Sequence, residues 1–154
     1  ERKYSTAIER YHGFETAIYD SSTAAQKDQV IFGNYDDCEL KSRIRNLFGT
    51  REHPDGVLCF DDTTAAVLYT MLEEKGLRPG RDVRIVGYND SSLCNMLSVP
   101  LSSVSAEGNK MGREAITMLM GIIRGSGIEE DFNDFKVLNP RLVIRKSSTG
   151  RDKN

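Results

Sequence analysis

The clearest pattern of hydrophobic and polar positions lies between Gly56 and Asp90, where two short apolar runs flank a stretch with helical spacing. The runs at residues 56–60 and 83–88 are typical of strands buried on both faces of a parallel sheet. Between them, apolar residues recur on neighbouring helical turns until Lys75 and Gly76, where glycine can supply the left-handed residue after a helix end. The pattern therefore predicts a strand–helix–strand unit.

Polar side chains follow both runs at the points where the predicted strands end. Asp61 and Asp62 come directly after the first run, and Asn89 and Asp90 follow the second. Because the carboxyl ends of parallel strands lie at one edge of an open α/β sheet, we expect these side chains to converge on one ligand-binding crevice. Asp61 and Asp62 also have a purely structural alternative, since either carboxylate can cap the helix that follows.

Similar patterns extend over the rest of the chain. Helical spacing predicts helices at residues 6–20, 36–48 and 106–124. Short apolar runs predict strands at residues 29–33, 101–104, 135–138 and 141–145, and residues 147–154 are expected to form a polar tail. The alternation of strands and helices up to residue 90 predicts a doubly wound α/β fold with a parallel sheet, which the later segments do not simply continue.

Two of these helices carry well-defined apolar stripes. In the second helix the stripe has the i, i+4, i+7, i+8 spacing of a buried face and comprises Leu40, Ile44, Leu47 and Phe48. The helix at residues 106–124 is the most amphipathic, with an apolar face of Met111, Ala115, Met118, Leu119, Ile122 and Ile123. Nothing in the sequence provides an obvious cover for that second face, so we expect it to be an association surface.

Composition narrows the class of protein without naming a function. The 154 residues suffice for one domain with a real core, and the net charge of −2 implies no general attraction to nucleic acid or membranes. No apolar run approaches the roughly 20 residues that a membrane span needs. The three cysteines are odd in number and match no metal-ligand spacing, which favours a reducing cytoplasm and no metal or other cofactor.

Six short motifs, in order and in register, resemble the LacI/GalR-type transcriptional regulators. They are RYHGF (10–14), DD (61–62), VGYND (86–90), PLSSV (100–104), MGREA (111–115) and PRLVIRKS (140–147). The similarity covers nearly the whole chain and falls in the effector-binding part of those regulators, which is built like a type I periplasmic binding protein. It therefore implies a two-lobed fold for the sensor as a whole.

The resemblance also implies how the chain divides between the lobes. Residues 1–92 would form most of the C-terminal lobe, 97–127 a strand and helix crossing to the N-terminal lobe, 135–149 a return, and 150–154 a tail. The chain opens on Glu1 without Met and is expected to be a fragment. Operator DNA would be contacted only through an N-terminal domain absent from this chain, of either the LacI or the GntR type.

The partners implied by the resemblance are a small, sugar-like effector and a second copy of the chain. In such regulators the C-terminal lobe carries much of the dimer contact. The predicted helices at residues 40–48 and 65–72 are therefore candidates for a homodimer interface, although core packing would also explain their apolar residues. No membrane partner is implied.

Four residues match positions that contact the effector in this family: Arg10, Tyr35, Asp61 and Asn89. A guanidinium such as that of Arg10 offers paired planar donors to hydroxyls, carboxylates or phosphates. An aromatic ring such as that of Tyr35 offers an apolar face for stacking. Asp61 stands where the family usually has asparagine, and Asn89 stands where it usually has aspartate. The pair therefore still provides one carboxylate and one amide.

Three further residues are candidates for the crevice or the hinge. Ser5 could line the crevice, although an ordinary loop serine is the favoured interpretation. Asp62 is expected to be a helix cap or a structural hydrogen-bond partner of the hinge, and Asp90 is similarly ambiguous between the ligand and the hinge. His12 and His53 are expected to be surface residues, because no motif places a catalytic partner beside them.

Two other classes of protein share parts of this pattern. A periplasmic sugar-binding protein of an uptake system has the same fold, but the three unpaired cysteines favour the regulator. A Rossmann-like enzyme is the more distant alternative. Its support is weak, because the acidic pair at Asp61 departs from the D-x-D pattern of phosphoryl-transfer sites and no glycine-rich phosphate loop follows a strand.

Overall fold

The computed structural model describes residues 5–21, 30–32, 38–50, 52–124 and 136–149. In chain order its helices are α1 (Ser5–Asp20), α2 (Cys38–Leu47), α3 (Asp62–Glu74), α4 (Gly108–Ile123) and α5 (Lys146–Thr149). Its strands are β1 (Gly56–Leu58), β2 (Arg84–Tyr88), β3 (Ser102–Ser105) and β4 (Arg141–Val143). A short 3-10 helix, Ser92–Asn95, follows β2. None of the described helices is both long and apolar enough to cross a bilayer.

The four strands form one sheet in the order β1-β2-β3-β4. β1 pairs with β2 in parallel, with Val57 opposite Ile85, and β2 pairs with β3 in parallel, with Gly87 opposite Ser103. β4 joins β3 antiparallel. The predicted strand–helix–strand unit and its parallel pairing are confirmed, and the antiparallel fourth strand is the change of pattern expected after Ser91.

The core lies on the face of the sheet that α3 covers. α3 buries Ala65, Leu68 and Leu72 against the inward side chains of the sheet region, among them Val83 and Ile85, which have no exposed surface. Asp61 caps the start of the helix, and Lys75 and Gly76 end it as predicted, with Gly76 at a φ of 74°. Fully buried leucines of this kind typically contribute about 2–5 kcal/mol relative to alanine.

α2 completes this core, and its buried residues bear on the expectation that this helix forms a homodimer interface. Leu40, Ile44 and Phe48 are each under a tenth exposed and belong to the same buried cluster as the apolar residues of α3. The predicted stripe is therefore confirmed as a buried face. These side chains are used inside the described chain, so they are not the residues that would form a contact with a second copy.

The apolar stripe of α4 is uncovered, as expected. None of the residues described on this helix is buried, and Met111, Leu119, Ile122 and Ile123 are each about half exposed or more. Ile116 and Met120 widen the exposed apolar surface. The helix is tied to the segment before β4 by an exposed ion pair of 2.6 Å between Lys136 Nζ and Glu114 Oε2.

Two predicted strands are not found where the structure describes the chain. Residues 30–32 of the predicted strand 29–33 belong to no strand, and the end residues 29 and 33 lie outside the described part. Instead, the exposed Phe32 ring meets Tyr11 edge-on, with centroids 5.7 Å apart. Residues 136–138 of the predicted strand 135–138 also lack strand structure, while β4 occupies the first part of the predicted strand 141–145.

The expectation of a polar tail from residue 147 is wrong for residues 147–149. Ser147 lies in α5 and has no exposed surface. Its Oγ accepts a hydrogen bond of 2.7 Å from the Ser102 amide and donates one of 2.6 Å to the Ile85 carbonyl. Serine can be buried here because its hydroxyl satisfies backbone groups of β2 and the start of β3, a role that polarity alone does not reveal. Residues 150–154 lie outside the described part.

Two glycines in contrasting surroundings test this packing. A Cβ at Gly87 would collide with the Asp62 carboxylate and come within 3.0 Å of a Leu101 methyl group, whereas a Cβ at Gly13, in α1, would meet nothing within 4 Å. We predict that Gly87→Ala lowers the free energy of unfolding by about 2 kcal/mol or more. Gly13→Ala should raise it by about 0.5–1 kcal/mol through helix propensity.

Urea unfolding of both variants beside the unchanged chain provides the measurement. Gly13→Ala is the matched control, since the same methyl group is added in an open position. Equal effects of the two substitutions would contradict the described approach of α3 to β2.

Candidate functional site

Arg10 is placed by α1 at the carboxyl ends of both β1 and β2. Its Nη1 donates a hydrogen bond of 2.7 Å to the carbonyl of Phe60, just beyond β1. Its guanidinium carbon lies 3.6 Å from the centroid of the Tyr88 ring, at the end of β2, and 4.6 Å from that of Phe60. A guanidinium stacked on two rings loses little freedom when it binds a further partner, because its orientation is already fixed.

A shallow groove opens beside this guanidinium. It has a volume of about 330 Å³ and is lined by Thr6, Glu9, Arg10 and Tyr88. The groove combines a cation, a carboxylate, a hydroxyl and a ring, which are the groups that orient a polar ligand. The groove reaches the carboxyl end of β2 through Tyr88. None of the residues predicted to converge on a crevice there lines it: Asp61, Asp62, Asn89 and Asp90.

Asp61 occupies the position between β1 and α3 and serves as the N-cap of α3. Its Oδ1 accepts a hydrogen bond of 2.7 Å from the Thr64 amide. The structural alternative considered for Asp61 is therefore realised. Since a carboxylate has two oxygens and the residue is half-buried, the cap leaves its role toward a ligand a prediction.

Asn89 directly follows β2, is exposed, and has an unusual backbone conformation. Its φ is 103°, and its amide donates a hydrogen bond of 2.9 Å to the Val104 carbonyl of β3. The residue therefore leaves the strand at an angle that ordinary strand geometry does not provide. Its predicted ligand role stays a prediction.

Asp62 is a structural residue at the centre of this edge. It is 2% exposed, and it accepts hydrogen bonds from the Ser91 amide to Oδ2 at 2.7 Å and from the Ser103 hydroxyl to Oδ1 at 2.6 Å. These contacts are structural hydrogen bonds, while the cap itself is made by Asp61. A role of Asp62 at the hinge stays a prediction. Because both oxygens are engaged, the buried charge is compensated by donors.

Asp90 is paired with a residue from the other end of the chain. Arg145 Nη2 lies 2.8 Å from Asp90 Oδ1, an ion pair by distance although it lacks the alignment of a hydrogen bond. Both side chains are about a fifth exposed. Arg145 also donates to the Leu101 carbonyl at 2.9 Å, so it joins the exit of β2 to the entry of β3. These contacts give Asp90 a structural partner, and its role toward the ligand or the hinge stays a prediction.

Two predicted site residues cannot be placed. Tyr35 lies outside the described residues, and the side chain of Ser5, at the start of α1, is likewise not described. Within the described ranges, no group of three or more His, Cys, Asp or Glu side chains converges as a metal site would require.

Sequence reasoning overlooked several residues that shape this edge. They are Glu9, Phe60, Tyr88, Ser103 and Arg145. For Phe60 and Tyr88 a signal existed, since each is the last aromatic residue of a predicted strand. For Ser103 and Arg145 only the resemblance pointed to their motifs, without assigning a role to either side chain.

A second concavity of about 490 Å³ lies on the sheet face that α3 leaves open. Its walls are mostly the apolar side chains of Leu58, Val86, Val104 and Leu142, with Arg84 and Ser148 as its polar members. Such a mostly apolar surface suits packing against another apolar element. The polar edge around Arg10 is therefore the better candidate for a small-molecule site.

The parallel strands, the covering helices and the polar edge together define an α/β domain. The chain belongs to the periplasmic binding protein-like domain family, whose model matches residues 1–148. The expected fold class is thereby confirmed.

Curated relatives point to transcriptional regulators. The chain is 29% identical over 144 residues to an HTH-type transcriptional repressor PurR of Photobacterium profundum and 29% identical over 147 residues to that of Histophilus somni. These matches cover 93% and 96% of the chain but only 42% and 43% of the relatives. The chain thus spans less than half the length of these repressors.

Solved structures support the same family. A regulatory protein of the LacI family from Chloroflexus aggregans superposes with a TM-score of 0.80 at 24% identity, over 96% of this chain and 52% of that one. A complex of the transcriptional regulator CelR with cellobiose superposes with a TM-score of 0.79 at 26% identity, over 96% of this chain and 44% of that one. The resemblance to LacI-type regulators is confirmed, and the enzyme alternative finds no support among these proteins.

The cysteines provide a test of how this edge is buried. Burial, with smaller contributions from the carboxylates of Asp61 and Asp62, raises the pKa of the Cys59 thiol to about 12. Burial and the Asp62 carboxylate raise that of Cys94 to about 11. Because the thiolate is the nucleophile, we predict that at pH 8 only the exposed Cys38 reacts rapidly with a thiol reagent.

Spectrophotometric thiol counting should therefore give one fast thiol in the native chain and three in urea. Cys38→Ser is the control and should abolish the fast phase.

Both buried thiols have folded-state pKa values above the value of about 8.5 for an unfolded cysteine. The free energy of unfolding should consequently fall as pH rises from about 8.5 toward 11. Three fast thiols in the native chain would contradict the burial of Cys59 and Cys94.

Proposed function

We propose that this chain is part of the ligand-sensing domain of a bacterial transcriptional regulator. It binds a small polar effector, a sugar or sugar derivative, at the carboxyl edge of β1 and β2. The observation that carries the proposal is the guanidinium of Arg10, which is held by Phe60 and Tyr88 at the ends of both strands. Asp61 and Asn89 follow those same two strands.

The chemistry of this edge suits hydroxyl groups. Arg10 offers donors only, a carboxylate such as Asp61 accepts only, and the amide of Asn89 does both. A polyol presents alternating donors and acceptors that such a set can satisfy. The proposal assigns Tyr35 to stack on the apolar face of the effector and Asp61 to combine its cap with one ligand hydrogen bond.

Relatives supply independent support. The relatives described above are named as transcriptional repressors, and one structural neighbour is a transcriptional regulator in complex with cellobiose. A periplasmic uptake protein would share the fold, but the relatives named above favour the regulator.

In the proposed mechanism, the effector sits between two lobes and changes DNA affinity without any chemistry. Residues 1–92 and 135–149 are assigned to one lobe, and residues 97–127 cross to the other. The effector favours one lobe arrangement only by its differential affinity for the two states. In a cytoplasmic homodimer, that shift moves the DNA readers relative to each other and alters operator binding.

Calorimetric titration of the full-length parent regulator, which supplies both lobes of the proposed crevice, with cellobiose, lactose, sugar phosphates and nucleobases tests the binding site. At least one neutral sugar should bind, and Arg10→Ala and Asn89→Ala should each weaken it about 10-fold or more, since removing a partner of a buried ligand group costs about 1–3 kcal/mol. Arg43→Ala is the control, because this arginine is exposed on α2, away from the edge.

Two results would count against the proposal. Binding that survives Arg10→Ala and Asn89→Ala unchanged would place the ligand elsewhere. A panel of nucleobases or phosphates that binds while every neutral sugar fails would show that the effector class is wrong.

A further inference from the structure

The exit of β2 is held in a strained conformation. Asn89 and Asp90 are consecutive residues with positive φ, at 103° and 52°. Asp90 falls in the left-handed region that aspartate tolerates, whereas Asn89 lies well beyond it, in a region that favours glycine. Such strain costs about 1–3 kcal/mol per residue and persists only where surrounding contacts impose it.

Three consecutive amide groups of this segment are fixed by neighbours. The Asn89 amide donates to the Val104 carbonyl at 2.9 Å, the Asp90 amide to Ser103 Oγ at 3.0 Å, and the Ser91 amide to Asp62 Oδ2 at 2.7 Å. The central contact is made by a side chain of β3, so it can be removed without deleting the strand.

Ser103 is the residue that joins these contacts. It has no exposed surface, and its hydroxyl donates to Asp62 Oδ1 at 2.6 Å. Ser103 Oγ also accepts a hydrogen bond from the Asp90 amide. Donation to the carboxylate orients the hydroxyl so that a lone pair faces the amide. One buried hydroxyl thereby connects the start of α3 to the exit of β2.

We infer that Ser103 is a positioning residue that, with Asp62, presets the backbone of Asn89 for effector binding. The inference rests on the proposed function for the role of Asn89 toward the effector, but the imposed strain can be measured without any ligand. A preset loop loses less freedom when it binds, so its release should weaken binding even though Ser103 never touches the effector.

A double-mutant cycle measures the strain. Ser103→Thr keeps the hydroxyl and Ser103→Val replaces it with a methyl group of the same shape, so their difference isolates the hydrogen bonds. In the unchanged and Thr backgrounds, Asn89→Gly should melt about 3 °C or more above Asn89→Ala, because glycine tolerates the positive φ. In the Val background this difference should shrink to less than about 1 °C.

The inference would be overturned if the difference in melting temperature between Asn89→Gly and Asn89→Ala were the same in the Thr and Val backgrounds. It would also be overturned if the unchanged chain showed no such difference. If neither branched variant folds, Ser103→Ala provides the hydroxyl-free background without added volume, and the same loss of the glycine advantage is expected.

Cellobiose titration separates this inference from the proposed function. With Asn89 intact, Ser103→Val should raise the Kd for cellobiose about 5-fold or more relative to Ser103→Thr. Equal affinities of the two variants would overturn the role in binding. Failure of the full-length parent regulator to bind cellobiose or lactose would count against the proposed function, while the melting cycle would still decide whether Ser103 imposes the strain.

Discussion

The buried carboxylate of Asp62 is the contact on which the arrangement of this edge depends. A charge with 2% of its surface exposed would be strongly destabilising without partners, and here Ser91 and Ser103 supply a donor to each oxygen. These bonds join the first turn of α3, the exit of β2 and the strand β3. The Asp62 carboxylate approaches the sheet at Gly87. This approach is possible because glycine has no side chain.

From that fixed centre the edge extends outward to the groups proposed to meet a ligand. Asp61 caps α3 one residue before Asp62, and Arg10 binds the carbonyl of Phe60 and stacks on Tyr88. Each of these groups is oriented by contacts within the described chain. The edge therefore combines a rigid, satisfied interior with polar atoms directed to its surface, as a binding site for a small polar molecule requires.

The sequence predicted those features that follow from periodicity and from local capping chemistry. The stripe of Leu40 and Ile44, the end of α3 at Lys75 and the uncovered face of α4 all depend on spacing within one element. Long-range hydrogen bonds carry no such signal. Ser147 looked like part of a polar tail because its partners lie 45 and 62 residues away, and the segment that begins at Asn89 is hydrogen-bonded to distant residues of β3 and α3.

The most direct test of the central claim is a two-dimensional NMR titration of the complete two-lobed sensor of the parent regulator with cellobiose. If the carboxyl edge of β1 and β2 is the effector site, shift changes should concentrate at Asp61, Tyr88 and Asn89 and at the guanidinium of Arg10. Changes confined to the open apolar face of the sheet around Leu142, with the edge unaffected, would contradict the account.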